Sequence, residues 1–149
     1  MLSKHRPGDR IVNCVVSASH DETATLYVAR HQALSSLDRQ HIELFAGEGK
    51  RITEELVVRN LHINSFLESY APKTIDFLSV DTEGRDFEIL RALDTQRFRP
   101  TLIQCETGNE VMPFIEFFKT KSYILLATTS VNVFFADAFA LLGLPQGAL

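Results

Sequence analysis

Apolar residues follow two rhythms in the middle of this chain. Across residues 74–84, Thr-Ile-Asp-Phe-Leu-Ser-Val-Asp-Thr-Glu-Gly, a short run that is apolar on both faces breaks abruptly into two acids and a glycine. Such a run predicts a central strand of a parallel sheet, covered on both sides, rather than an exposed hairpin. From Arg85 onward Phe87, Ile89, Leu90 and Leu93 take helical spacing, and Asp86 and Glu88 place negative charge in the first turn, where the helix dipole favours it. Pro100 then opens a second apolar run that ends at Glu106. The intervening connection is long enough for an α/β crossover, so residues 75–80 and 101–105 are expected as parallel neighbouring strands with the helix on one face. Ligands of open α/β sheets bind beyond the carboxyl ends of the strands, which makes Asp81, Glu83 and Glu106 the candidate functional carboxylates.

The flanking pattern is shorter in range. Residues 11–17 and 23–29 read as two strands around Ser19-His20-Asp21-Glu22, and so as a hairpin. Residues 31–55 are polar and weakly periodic, a long loop with a short helix, and Val57-Val58 offers a short strand. Asn64 is placed to cap a helix over 65–70 that turns Phe66, Leu67 and Tyr70 inward. Gly108-Asn109 turns the chain into a helix over 111–119, where Pro113 fits only in the first turn. Residues 123–129 and 132–136 form an antiparallel pair that closes the sheet.

The run 75–90, followed by Pro100-Thr101-Leu102-Ile103-Gln104-Cys105-Glu106, resembles the FkbM family of S-adenosylmethionine-dependent methyltransferases, whose strand ending reads I-D-hydrophobic-hydrophobic-x-hydrophobic-D-x-E-G-x-E. The pattern is met through Gly84; Asp86 stands where the family has Glu, and Thr82 where an aliphatic residue is commoner. Asn13-Cys14-Val15-Val16-Ser17, Thr25-Leu26-Tyr27-Val28 and Ser35-Ser36-Leu37 are similar to the family's third strand, its partner and its serine-rich loop, and Asn132-Val133-Phe134-Phe135 to its last strand. The resemblance implies a single domain over residues 1–149, truncated at its N-terminal side: a three-layer Rossmann-like α/β methyltransferase fold with a mixed sheet lacking its first strands. It further implies transfer of a methyl group to a hydroxyl of a small molecule or sugar, with Asp81 or Glu83 as base or orienting group. Val16, Ser17 and Asp81 are the residues it assigns to the cofactor.

What the chain omits changes that picture. The first two strands of such a domain carry a glycine-rich turn and a ribose-binding acid; no Gly-x-Gly-x-x-Gly occurs here, and Gly47-Glu48-Gly49 lies in a polar loop. Weak S-adenosylmethionine binding by the isolated chain is therefore expected. The alternative is a degenerate domain that serves as a non-catalytic binding or association module, with a homodimer covering the sheet edge left open.

Composition narrows the remaining classes. At 149 residues, 45% hydrophobic and 23% charged, the chain suits one domain with a real core. A net charge of -4 argues against nucleic acid as the main partner. Cys14 and Cys105 sit in expected strands without metal-like spacing and read as buried free thiols. No run approaches the length of a membrane span, the first nine residues lack the apolar core of a signal peptide, and a cytoplasmic location is expected. The five histidines lack zinc-like spacing and no metal is expected, although Asp81, Glu106 and Asn109 are of the kind that bind magnesium at a sheet edge. At the bland end, Asp81 caps the following helix and Glu106 pairs with Arg85 or Lys73.

Overall fold

The computed structural model describes residues 5–44, 51–108 and 110–148. In chain order its elements are β1 (Val15–Ser17), β2 (Thr23–Ala29), a 3-10 turn (Gln32–Leu34), α1 (Arg39–Leu44), β3 (Ile52–His62), α2 (Ile63–Tyr70), β4 (Phe77–Val80), α3 (Asp86–Ala92), β5 (Leu102–Glu106), α4 (Val111–Lys119), β6 (Tyr123–Thr128), β7 (Asn132–Asp137) and α5 (Ala138–Leu142). The glycine pair at 47 and 49 and the turn residue Asn109 lie outside the described residues.

These elements build two mixed sheets with helices, the α/β arrangement of a Rossmann-like methyltransferase. One sheet has the order β1-β3-β2, the other β4-β5-β7-β6. The expected crossover is present: β4 and β5 are parallel neighbours, with Val80 opposite Cys105, so their carboxyl ends lie side by side. β7 pairs antiparallel with β5 and β6.

The expected hairpin is corrected. β1 and β2 do not pair with each other; β3 lies between them, parallel to β1 and antiparallel to β2. The loop joining them must therefore cross β3, and Asn60 holds it there: the Asn60 amide donates to the Ser19 and Asp21 carbonyls and its backbone N–H donates to Glu22. A second correction concerns the α2 start. His62 is the cap, its Nδ1 accepting from the Asn64 N–H, while the Asn64 side chain bridges to the Ala92 carbonyl and the Asp94 N–H and so ties α2 to the end of α3.

One core lies on one face of the second sheet. Ile63 and Leu67 of α2, Ile89 and Leu90 of α3, and Phe114 and Phe118 of α4 pack on Val80, Ile103, Cys105, Val133 and Phe135. Alternation along the strands sends Phe77, Leu102 and Ile124 the other way, where they are exposed. Cys105 is fully buried and burial pushes its thiol up to about 12, which fits an inert packing role; Cys14 is half-buried, and both are free. No helix among the described residues is long and apolar enough to cross a membrane.

Candidate functional site

β4 ends at buried Val80, and the chain then turns sharply into α3. Glu83 and Gly84 both take positive φ, at 52° and 99°. Glycine is required at the second position for two reasons: its φ suits no L side chain, and a Cβ there would sit 2.5 Å from His41 Nδ1 and 2.8 Å from His41 Cγ. A non-glycine residue held at positive φ, as Glu83 is, marks a turn over-determined by its surroundings.

Those surroundings are the serine loop and α1. Ser36 is bridged to Tyr27 of β2 by two backbone hydrogen bonds, and its hydroxyl donates to the Glu83 carbonyl at 2.7 Å while accepting from the Asp38 N–H. Asp38 Oδ1 accepts from the N–H groups of Gln40 and His41 at the start of α1. Asp38 also lies 3.6 Å from the Arg85 guanidinium, and His41 Nε2 lies 3.8 Å from Glu83 Oε2. Residues 36–41 thus clip the segment between β2 and β3 onto the turn after β4. Gly84→Ala is expected to loosen this clip and to cost about 1–3 kcal/mol, from backbone strain together with displacement of the imidazole. Urea unfolding measures it. Adding His41→Ala in the same chain should recover the steric part and leave the strain.

The carboxylates converge. Asp81, Glu83 and Glu106 each offer an oxygen, and these oxygens all lie within 4.8 Å of one another. Glu106 lies beside Asp81 and Glu83 and forms no ion pair with Arg85 or Lys73 among the described residues; the Arg85 guanidinium goes to Glu88 and Asp38. Among the described residues no backbone N–H donates to Asp81, so the helix-capping reading does not describe it. The residue that clasps the turn is Asp86, whose Oδ2 accepts from both the N–H and the hydroxyl of Thr82, and whose Oδ1 is buried without a partner.

Crowding moves these groups in one direction. Burial, then the neighbouring Asp81 charge, raises Glu83 above the usual carboxylate range, while His41 opposes the shift. Glu106 is raised by burial and then by Asp81, Glu83 and Asp86. Asp86 is raised by burial against the lowering effect of its Thr82 hydrogen bonds. A carboxyl whose folded pKa lies above its unfolded one favours the folded state in its protonated form, so its contribution is lost as pH rises through the folded value. Asp86→Asn, which keeps an acceptor for Thr82, should therefore gain stability relative to wild type as pH rises above the ordinary carboxylate range of about 4. A difference in urea midpoint that stays flat with pH would count against a raised Asp86.

Beside the acids opens a cavity of about 610 Å³ whose lining includes His41, Glu83, Gly84, Asp86, Glu106 and Glu110. Val16 and Ser17 are not among its lining residues: Val16 packs against the core, and the Ser17 hydroxyl accepts from the Ser19 N–H. Ser35 is likewise occupied, accepting from the Ala29 N–H. An oxygen-only triad such as Asp81, Glu83 and Glu106 has the chemistry to hold a hard divalent cation or a positively charged organic group. His41 and Asp86 are site residues that the sequence pattern did not single out. For Asp86 a signal existed, a first-turn acid four residues after a threonine; for His41, reached only through folding of a polar loop, there was none.

The family model of the methyltransferase FkbM domain matches residues 2–136. Comparison with curated proteins and with solved structures gave no match.

Proposed function

The chain belongs to the FkbM methyltransferase domain family, and from that premise we propose that it moves a methyl group from S-adenosylmethionine to a hydroxyl of a small molecule or sugar at the acids beyond β4. The observation that carries this reading is the meeting of Asp81, Glu83 and Glu106 at the carboxyl ends of two parallel strands, beside a cavity. When bound, the cofactor supplies an electrophilic methyl carbon on a positively charged sulfur. The donor set suits that charge, because among the described residues four carboxylates and no Lys or Arg line the cavity.

The residues divide the work as follows. Glu83, raised by burial and fixed by His41 and the Ser36 clip, takes the hydroxyl proton; its shifted pKa brings it closer to neutrality, where a general base is most effective. Asp81, exposed and beside Glu106, is assigned to the cofactor's positive groups.

Calorimetry with S-adenosylmethionine on wild type and Asp81→Asn tests the reading. Binding should be measurable but weak: without a glycine-rich turn and its ribose-binding acid, about 1.5–3 kcal/mol of charged hydrogen bonding is missing, roughly a ten- to hundredfold loss. Asp81→Asn should weaken it further. No heat at millimolar cofactor would sink the enzyme reading and favour an association module, for which the solvent-facing row of Phe77, Leu102 and Ile124 speaks.

A further inference from the structure

The walls of the cavity beside the strand-end acids differ in character. Leu34, Ile42 and Leu44, from the 3-10 turn and α1, and Phe87 and Phe114, from α3 and α4, give it an apolar lining. Glu83, Asp86, Glu106 and Glu110 give it a carboxylate lining with the His41 imidazole beside Glu83, and among the described residues no Lys or Arg contributes. The nearby cation, Arg85, stays outside the lining, its guanidinium bonded to Glu88 at 2.6 Å and lying 3.6 Å from Asp38. Among the described residues an anionic guest would meet four carboxylates and a single imidazole, His41, which already lies 3.8 Å from Glu83, whereas an ammonium would bring the opposite charge, and an apolar body would cover the aromatic and aliphatic lining.

We propose, resting on the reading of this cavity as the acceptor site of a methyltransferase, that the acceptor is a hydroxylated amine with an apolar body, and that carboxylated and phosphorylated hydroxyl compounds are turned away by charge. Glu106 and Glu110 are the specificity-determining residues. They lie on either side of the turn from β5 to α4 and line the cavity without belonging to the Glu83–Gly84 turn.

Three matched phenols test this on the full chain by saturation-transfer and line-shape NMR: tyramine, 4-ethylphenol and 4-hydroxyphenylacetate. Tyramine should bind at least about tenfold more tightly than the acid, with the neutral phenol between, since each factor of ten needs only one favourable charge contact near the protein surface. The gap should narrow in high salt. Glu106→Gln combined with Glu110→Gln should close it, and Glu110→Gln alone, at an exposed position that does not endanger folding, should close it in part. Equal or tighter binding of 4-hydroxyphenylacetate, a gap that survives both substitutions, or no binding by any of the three at millimolar concentration would each overturn the proposal. S-adenosylmethionine calorimetry keeps the two readings apart. Selective tyramine binding without cofactor binding removes the methyltransferase reading and leaves the charge preference, and the converse removes the charge preference alone.

Discussion

Arg99→Ala is expected to destabilise the chain by about 3–5 kcal/mol, the cost of breaking a buried ion pair and stranding its partner. The Arg99 and Asp137 side chains are only 11% and 8% exposed, and they meet at 2.7 Å. The same Nη2 donates to the carbonyls of Lys121 and Ser122, which end the α4–β6 turn, and the guanidinium lies 4.9 Å from the Tyr123 ring centroid and 4.7 Å from that of Phe139. Asp137 Oδ1 in turn accepts from the Phe139 N–H and so starts α5. One side chain therefore closes the β6 start, the β7 end and the last helix together. Removing it leaves the buried Asp137 carboxylate without its counter-charge, holding only the Phe139 N–H among the described residues, and takes the guanidinium from the Lys121 carbonyl, while the Ser122 carbonyl keeps the Ala138 N–H. Arg99→Lys keeps the charge but cannot reproduce the fork, and should lose a substantial part of the same energy. Arg99→Met with Asp137→Asn, which removes both charges, should be less damaging than Arg99→Ala. Urea unfolding of the three variants checks the order, and an Arg99→Ala cost under about 1 kcal/mol, the size of a surface pair, would contradict it.

Sequence pattern and structure agree where the signal is local. The helical spacing from Phe87 to Leu93 and the pair closing the sheet depend on side-chain periodicity within a few residues, and α3, β6 and β7 appear where that periodicity places them; β4 also forms before Asp81, but as an edge strand of its sheet with Phe77 exposed, not as the central, doubly covered strand that the apolar run predicts. The edge acids were legible for the same reason: Asp81, Glu83 and Glu106 follow apolar runs whose parallel pairing is dictated by the connection between them. β3 was not legible in full. Its positions 53–57 are all exposed, so no alternation between core and solvent was imposed on Thr53, Glu54 and Glu55, and only the Val57-Val58 pair stood out. The separation of β1 from β2 rests on contacts more distant still, from Asn60 to residues 19–22, which no window of sequence joins. The serine loop was recognisable as special, but its work as a clip on Glu83 needed the turn's backbone to be seen, because Ser36 bonds to a carbonyl and not to a side chain.

Phe118→Ala is expected to cost about 3–5 kcal/mol as well, yet to leave the site untouched. Phe118 is fully buried, with ring centroids 4.4 Å from Phe135 and 5.5 Å from Tyr123. Truncating it opens a cavity that three rigid elements, α4, β6 and β7, cannot collapse to fill, which puts it at the costly end of large-to-small substitutions. Phe118→Leu keeps most of the volume and should cost about 1–1.5 kcal/mol. Strand register separates this cluster from the acids. Tyr123 pairs with Asp137, and Ala136 next to it lies opposite Leu102 at the start of β5, four residues before Glu106, so the aromatic cluster supports the end of the sheet away from the cavity. Thermal unfolding should show a melting temperature lowered by roughly 10 °C or more for Phe118→Ala, while S-adenosylmethionine and tyramine binding below that transition stay at wild-type affinity. Gly84→Ala should show the reverse, a smaller loss of stability with weakened binding, because it disturbs His41 and the turn that carries Glu83. If Phe118→Ala abolished binding at a temperature where the chain remains folded, the core and the strand-end acids would have to move as one unit, and the site could not be a local consequence of the β4 turn and its clip.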